Sequence, residues 1–305
     1  MTAWPAAVFV REVGPRDGLQ DEQPLPVADR VALIEACVAT GVRAIEAVAF
    51  VSPTKVPAMD GAEAVMAGLD RRADVVYSAL VPNRRGAERA VAAGMDEIEV
   101  VVSASETHNQ RNLDCSVADS LVGTHEIADL ARTAGIAVSA VVGTAFGCPF
   151  EGEVAPERVG QLTGHLVDAG AGVITFGDTT GMATPRRVHD LLDALERVGI
   201  ESDRIALHFH DSRGLALANV VAALGRGIAR FDSGVGGLGG CPTAPGSAGN
   251  VATEDLVHML DDMGIATGID LGATIEAARL ASRLVGHDLP GAVLRAGPRT
   301  RQEAQ

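Results

Sequence analysis

Two histidines separated by a single residue, His208 and His210, have a spacing that suggests metal binding. Alternate residues of a strand point to the same face, so both imidazoles would lie together. With Asp17 and Asn250 from neighbouring loops, they form a nitrogen and oxygen ligand set that suits Mg²⁺ or Mn²⁺ better than structural zinc. The alternative is a hydrogen-bonded pair of core histidines. We predict a divalent-metal site with ligands Asp17, His208, His210 and Asn250.

Arg16 precedes Asp17 between the turn signals Gly-Pro and Asp-Gly. A guanidinium in a dry pocket is well suited to stabilise a developing enolate or oxyanion. The alternative is a turn residue that only forms a salt bridge. We predict that Arg16 is catalytic and binds substrate.

A glycine-rich loop, residues 234–250, contains Cys241. Its first six residues match GxGxxG, but a dinucleotide fingerprint must open into a helix, and Pro242 and Pro245 prevent this. We interpret the loop as a mobile lid and Cys241 as a catalytic residue on it. The alternative for Cys241 is a small buried hydrophobic residue.

The elements that must position these residues are short β-branched segments alternating with helical patterns. The candidate strands are 8–13, 44–49, 75–81, 97–103, 137–142, 172–177, 205–210 and 230–233. The helical stretches lie near 26–40, 57–69, 84–93, 116–134, 156–169, 185–198, 213–226 and 252–263. This repeat predicts a (β/α)₈ TIM barrel, whose active site lies at the carboxyl ends of the strands.

The organisation that we predict is one catalytic domain over residues 1–305, with the barrel at about 8–265. A helical extension fills about 266–305, and its extra C-terminal helix packs outside the barrel. Polar residues follow nearly every predicted strand, so one pocket should collect them.

The composition excludes several functions. A formal net charge of −15 opposes binding to nucleic acid. No signal peptide or membrane span is recognisable, which predicts a cytoplasmic protein with reduced cysteines. Lys55 is the only lysine and lies in a proline-flanked loop, which argues against Schiff-base chemistry.

Four motifs together resemble the 3-hydroxy-3-methylglutaryl-CoA (HMG-CoA) lyase family. They are EVGPRDGLQ at 12–20, FVSP at 50–53, GCPFEG at 147–152 and GLGGCP at 237–242. Isopropylmalate and homocitrate synthases share the Arg-Asp and His-x-His elements without this Cys loop. The resemblance therefore implies carbon–carbon cleavage rather than condensation.

The resemblance also assigns roles to residues. Asp17, His208, His210 and Asn250 match the metal ligands, Arg16 and Cys241 match the catalytic arginine and cysteine, and Glu46 and Asp178 match further pocket residues. We expect Asp178 to be catalytic and Glu46 to bind substrate. The implied reaction cleaves a 3-hydroxy-3-substituted glutaryl-CoA to acetyl-CoA and a keto acid, as in leucine degradation and ketone-body formation.

Among the departures from the family that lie near the substrate, two change which positions carry a cation. Family members carry an Arg in strand five, where this chain has Ser139, and a Tyr where it has Arg213. We predict that Arg213 replaces the lost cation and binds the substrate carboxylate. The alternative is an outward Arg213 that pairs with an acidic surface residue.

Other functions stay open. The enzyme could act on citramalyl-CoA or a related acid, or condense rather than cleave. A catalytically inactive scaffold would be expected to have lost a metal ligand or Cys241, and this chain retains them all. We expect an acyl-CoA substrate, no nucleic-acid or membrane partner, and a homo-oligomer.

Overall fold

The computed structural model describes residues 4–239 and 249–299. Eight parallel strands close into a barrel in sequence order, because the first strand pairs with both the second and the eighth. The strands are β1 Phe9–Glu12, β2 Ala44–Ala49, β3 Val76–Leu80, β4 Glu97–Ser103, β5 Ala137–Gly143, β6 Ile174–Asp178, β7 Ile205–Phe209 and β8 Arg230–Ser233. The predicted TIM barrel is confirmed.

Helices surround the barrel in the predicted order, with one further helix, which was not predicted, between the stretches predicted at 84–93 and 116–134. They are α1 Val27–Ala39, α2 Ala62–Gly68, α3 Arg84–Ala92, α4 Glu106–Leu113, α5 Val117–Ala134, α6 Pro156–Asp168, α7 Pro185–Arg197, α8 Ala216–Leu224, α9 Thr253–Asp262, α10 Leu271–Val285 and α11 Ala292–Ala296. The predicted helix at 57–69 is interrupted, because a short 3₁₀ turn, Pro57–Met59, precedes α2. No described helix is long and apolar enough to cross a membrane.

The extra C-terminal helix is confirmed as α10, which packs against α1 and α9 outside the barrel. Its inner face is formed by buried small and aliphatic side chains, including Ile275, Ala278 and Ala281. A further short helix, α11, packs on α9 and was not predicted. The carboxylate of Asp255 in α9 accepts hydrogen bonds from the first backbone amides of α11, which explains where α11 begins.

The strand register brings charged side chains into one row of the barrel interior. Asp232 in β8 is in register with His208 in β7 on one side and with Arg11 in β1 on the other. On the opposite wall, Glu99 in β4 is in register with Ser139 in β5. Arg11 reaches Glu99 directly, so these side chains meet inside the barrel.

A buried carboxylate at the end of β1 connects the segments that carry the site. Glu12 accepts hydrogen bonds from the backbone amides of Gly14 at 2.8 Å and Val235 at 3.0 Å. It also accepts one from the hydroxyl of Thr253 at 2.6 Å, at the start of α9. One side chain thus fixes the loop after β1, the turn after β8 and α9 relative to one another.

We expect Glu12→Ala to lower the free energy of unfolding by about 3 kcal/mol or more, because it leaves buried donors without an acceptor. Urea unfolding followed by circular dichroism measures this. The control is Glu88→Ala, which breaks an exposed ion pair with Arg84 and should cost under about 1 kcal/mol. Equal losses in the two variants would contradict the role given to Glu12.

Candidate active site

The segment after β1 presents two charged residues to the barrel mouth. Residues Gly14–Gly18 form one turn of π-helix directly after the strand, and all five are buried. Pro15 occupies the start of this turn, where its missing amide hydrogen costs nothing. The turn places Arg16 and Asp17 beside the carboxyl ends of the neighbouring strands.

Asp17, His208 and His210 converge as the sequence predicted. One possible ligand atom from each lies within 4.8 Å of the others. The Nε2 atoms of His208 and His210 are 3.9 and 3.6 Å from Oδ2 of Asp17. In the described part of the chain, this is the only such cluster of three or more histidine, cysteine or acidic residues.

Asn250 joins this cluster from the far end of the glycine-rich loop. A short antiparallel bridge pairs it with His210, and its Nδ2 donates to Oδ2 of Asp17 at 2.9 Å. Nδ2 also donates to the carbonyl of Leu238 at 3.0 Å. Its Oδ1 is buried and has no hydrogen-bond partner among the described residues. A buried acceptor of this kind is the atom that a cation would use.

The electrostatics of the cluster favour a cation. Burial alone would raise the pKa of Asp17, but Arg16 and the two imidazoles hold it well below its usual value. Burial lowers the pKa of His210, so its imidazole is a neutral donor near neutral pH. A carboxylate, imidazole nitrogens and an amide oxygen fit a divalent cation such as Mg²⁺ or Mn²⁺.

Arg16 connects this cluster to Glu46. Its Nη1 donates to Oδ1 of Asp17 at 2.9 Å, and its Nη2 lies 2.5 Å from Oε2 of Glu46. Burial would lower the pKa of Arg16, but the carboxylates of Glu46 and Asp17 raise it. Burial raises the pKa of Glu46 well above its usual value despite this guanidinium. Arg16 therefore stays charged at the cavity wall, and Glu46 reaches the site through Arg16.

Asp178 lies at the end of β6, where one of its oxygens organises the following loop. Oδ1 accepts hydrogen bonds from the amides of Met182 at 2.6 Å and Ala183 at 2.9 Å. Oδ2 is buried without a partner among the described residues. Burial raises the pKa of Asp178 to about 7. This carboxyl can therefore exchange a proton near neutral pH.

Arg213 lies at the surface beside the loop after β6. Its Nη1 donates to the carbonyls of Thr180 at 2.7 Å and Gly181 at 2.9 Å. Burial raises the pKa of Asp178, and the positive charge of Arg213 lowers it by a smaller amount. The side chain is exposed, and the residue does not line the cavity described below. Substrate binding by Arg213 stays a prediction, and Cys241 lies outside the described residues.

Two interior residues of the site were missed by sequence reasoning. Asp232 Oδ2 lies 3.3 Å from Nδ1 of His208, and Arg11 forms a bidentate pair with the same carboxylate. Arg11 also shares the carboxylate of Glu99 with Ser139, the position where the family carries Arg. The available signal was a charged residue inside a predicted strand, because Arg11 falls within 8–13 and Asp232 within 230–233.

A cavity of about 1110 Å³ opens over the cluster. Arg16, Asp17, His208 and His210 line it, together with Glu99 and Asp232. It extends outward to Lys55, Arg111 and His108 at the rim. Its volume is sufficient for an extended acyl chain that leads from the cluster toward the surface.

The model of the HMGL-like family matches residues 7–281. The chain belongs to the HMGL-like family. It is 45% identical over 289 residues to the hydroxymethylglutaryl-CoA lyase YngG of Bacillus subtilis, with 94% of this chain and 96% of that protein covered. Family membership agrees with the resemblance that the four motifs carry.

Two further similar proteins have names that mention an acyl-CoA substrate or a bound ligand. The (R)-citramalyl-CoA lyase of Chloroflexus aurantiacus is 43% identical over 304 residues, covering 96% of this chain and 95% of that protein. The solved structure of an HMG-CoA lyase from Acinetobacter baumannii, in complex with coenzyme A and 3-methylmalate, is 42% identical. It superimposes with a TM-score of 0.93 over the full length of both chains.

We expect His210→Ala to weaken Mn²⁺ binding by about 100-fold or more, because it removes an imidazole donor from the cluster. Isothermal titration calorimetry of the metal-free protein with Mn²⁺ measures the affinity. His189→Ala, which changes an exposed histidine of α7, is the control and should bind as the wild type does. Unchanged binding by His210→Ala would contradict this site.

Proposed function

We propose that this protein is a divalent-metal-dependent carbon–carbon lyase that cleaves HMG-CoA, or a close 3-hydroxy-3-substituted acyl-CoA, to acetyl-CoA and a keto acid. The observation that carries the proposal is the convergence of Asp17, His208 and His210 beside Arg16 in one cavity of a family barrel. The keto acid from HMG-CoA is acetoacetate.

We propose that Asp17, His208, His210 and Asn250 hold the ion, Mg²⁺ or Mn²⁺. When bound, the ion would polarise the oxygens of the substrate's hydroxyl and carboxylate groups. The unpartnered Oδ1 of Asn250 supports its place in this set. Asp17 is oriented for the same task by Arg16 and by Nδ2 of Asn250.

The chain's own residues would move the protons. The bond between C2 and C3 of the acyl chain breaks, its electron pair passes to the thioester enolate, and the hydroxyl proton passes to a base. Asp178 is the candidate base, because its pKa is about 7 and Oδ2 has no partner among the described residues. Arg16 would stabilise the enolate oxygen, and Cys241 would protonate the enolate carbon.

Substrate binding is assigned to Arg16, Glu46 and Arg213. Glu46 would act by holding the guanidinium of Arg16 against the cavity. Arg213 would have to leave the carbonyls of Thr180 and Gly181 to reach a substrate carboxylate. We also propose a homo-oligomer in the cytoplasm, as expected from the sequence.

A second candidate is cleavage of citramalyl-CoA to acetyl-CoA and pyruvate. It is favoured by the identity to a citramalyl-CoA lyase, which is close to that with the HMG-CoA lyases. Ser139 also stands in strand five where other family members carry Arg, and its hydroxyl donates to Glu97 at 2.7 Å. The two substrates differ in the group attached to the carbinol carbon, so the pocket decides between them.

The test is to incubate purified protein with HMG-CoA and, separately, with citramalyl-CoA, and to identify the products by liquid chromatography and mass spectrometry. We expect acetyl-CoA and acetoacetate from HMG-CoA, loss of turnover after treatment with EDTA, and recovery with Mg²⁺ or Mn²⁺. Faster release of pyruvate from citramalyl-CoA would favour the second candidate. Undiminished turnover after exhaustive chelation would contradict the metal-dependent mechanism.

We expect Cys241→Ala to lower kcat by about 10²–10⁴-fold while Mn²⁺ affinity and thermal stability are retained, because the proposed proton donor acts in the reaction and not in packing. Steady-state kinetics with the preferred substrate measures kcat. The control is Cys37→Ala in α1, which removes a fully buried thiol and should lower stability while sparing turnover. If Cys241→Ala behaved like Cys37→Ala, Cys241 would be a packing residue.

A further inference from the structure

Arg11 is a buried cation inside the barrel whose three nitrogens all have partners. Nε and Nη2 donate to Oδ1 and Oδ2 of Asp232 at 2.9 and 2.7 Å. Nη1 donates to Oε1 of Glu99 at 2.5 Å across the barrel. The planar guanidinium of Arg11 therefore fixes the plane of the Asp232 carboxylate, and Glu99 holds the guanidinium from its other side.

The Asp232 carboxylate in turn contacts a candidate metal ligand. Its Oδ2, which is held by Nη2 of Arg11, lies 3.3 Å from Nδ1 of His208. The other nitrogen of that imidazole, Nε2, lies on the side of Asp17. A neutral imidazole carries one proton, so a hydrogen bond from Nδ1 to Asp232 leaves the lone pair of Nε2 for a cation.

The two histidines of the cluster differ in this support. Nδ1 of His210 is buried without a hydrogen-bond partner among the described residues, whereas Nδ1 of His208 faces a carboxylate that Arg11 holds. The backbone of His210 is fixed by its bridge to Asn250. The orientation of the His208 ring thus depends on the side chain of Asp232, and the orientation of Asp232 depends on Arg11.

We propose that Arg11 is a positioning residue of the metal centre, which acts through Asp232 to keep His208 in the tautomer and orientation that bind the ion. This inference rests on the proposed metal site. Arg11 touches neither the ion nor the substrate in this role. Without it, Asp232 could rotate, and two buried carboxylates, Asp232 and Glu99, would lose their shared cation.

The first readout is Mn²⁺ affinity, measured by calorimetry on metal-free wild type and on Arg11→Met. We expect the variant to bind about 10- to 100-fold more weakly, the range typical for partners of metal-bound histidines. The matched control is Arg30→Met, which removes another buried guanidinium, one that donates to the carbonyl of Asp60. Arg30→Met should keep the wild-type affinity even if its stability falls.

The second readout is the tautomer of His208, which a purely structural role for Arg11 would leave unchanged. Nitrogen-15 NMR of the histidine rings in metal-free protein, at an alkaline pH where the imidazoles are neutral, distinguishes protonated Nδ1 from protonated Nε2, and the His208 signals are those missing in His208→Asn. We expect protonated Nδ1 in wild type and in Arg30→Met, and a mixture of tautomers in Arg11→Met.

Arg11→Lys keeps the charge but replaces the planar fork by a single ammonium. We expect its Mn²⁺ affinity to lie between those of wild type and Arg11→Met, and it decides the question if Arg11→Met does not fold. Wild-type affinity in the folded variants, within about twofold, together with an unchanged tautomer, would overturn the role of Arg11. Failure of the wild type to bind Mn²⁺ would instead overturn the proposed metal site.

Discussion

Charged side chains enclosed in the barrel must be paired, and this constraint governs the arrangement of the candidate site at the carboxyl ends of the strands. A lone buried ion costs several kcal/mol even after relaxation. The chain meets this cost with alternating partners: Glu99 and Asp232 bracket Arg11, and Asp17 and Glu46 bracket Arg16. His208 lies between the two groups, near Asp232 on one side and Asp17 on the other. Moving one member leaves a neighbour unpaired.

The balance of buried charges also connects the structure to the proposed function. The two groups contain four carboxylates and two guanidiniums, an excess of negative charge in a place that excludes water. A divalent cation at Asp17, His208 and His210 would relieve that excess, as would protonation of Glu46, whose pKa is raised well above normal. The proposed metal site and the positive charge of Arg16 would thus be two results of one arrangement, and a substrate oxygen at the cavity wall would meet both.

Sequence reasoning found the residues whose position follows from one strand and its loop. The period of two placed His208 and His210 on one face, and the barrel repeat placed Asp17 at the same end. Arg11 and Asp232 were missed because their meeting depends on the register between the first and last strands, which closes the barrel. Helix α4 was missed because its sequence is almost wholly polar, and its start depends on the cap at Ser105. The contacts of Arg213 involve a loop 32 and 33 residues away in sequence, which no local pattern reveals.

The most direct test of the central claim is a crystal structure of the protein soaked with Mn²⁺, with the ion located by anomalous scattering. The account predicts one peak at the barrel mouth, about 2.0–2.3 Å from a carboxylate oxygen of Asp17, Nε2 of His208, Nε2 of His210 and Oδ1 of Asn250. A peak at another place, or either histidine a full side-chain length from the ion, would contradict it.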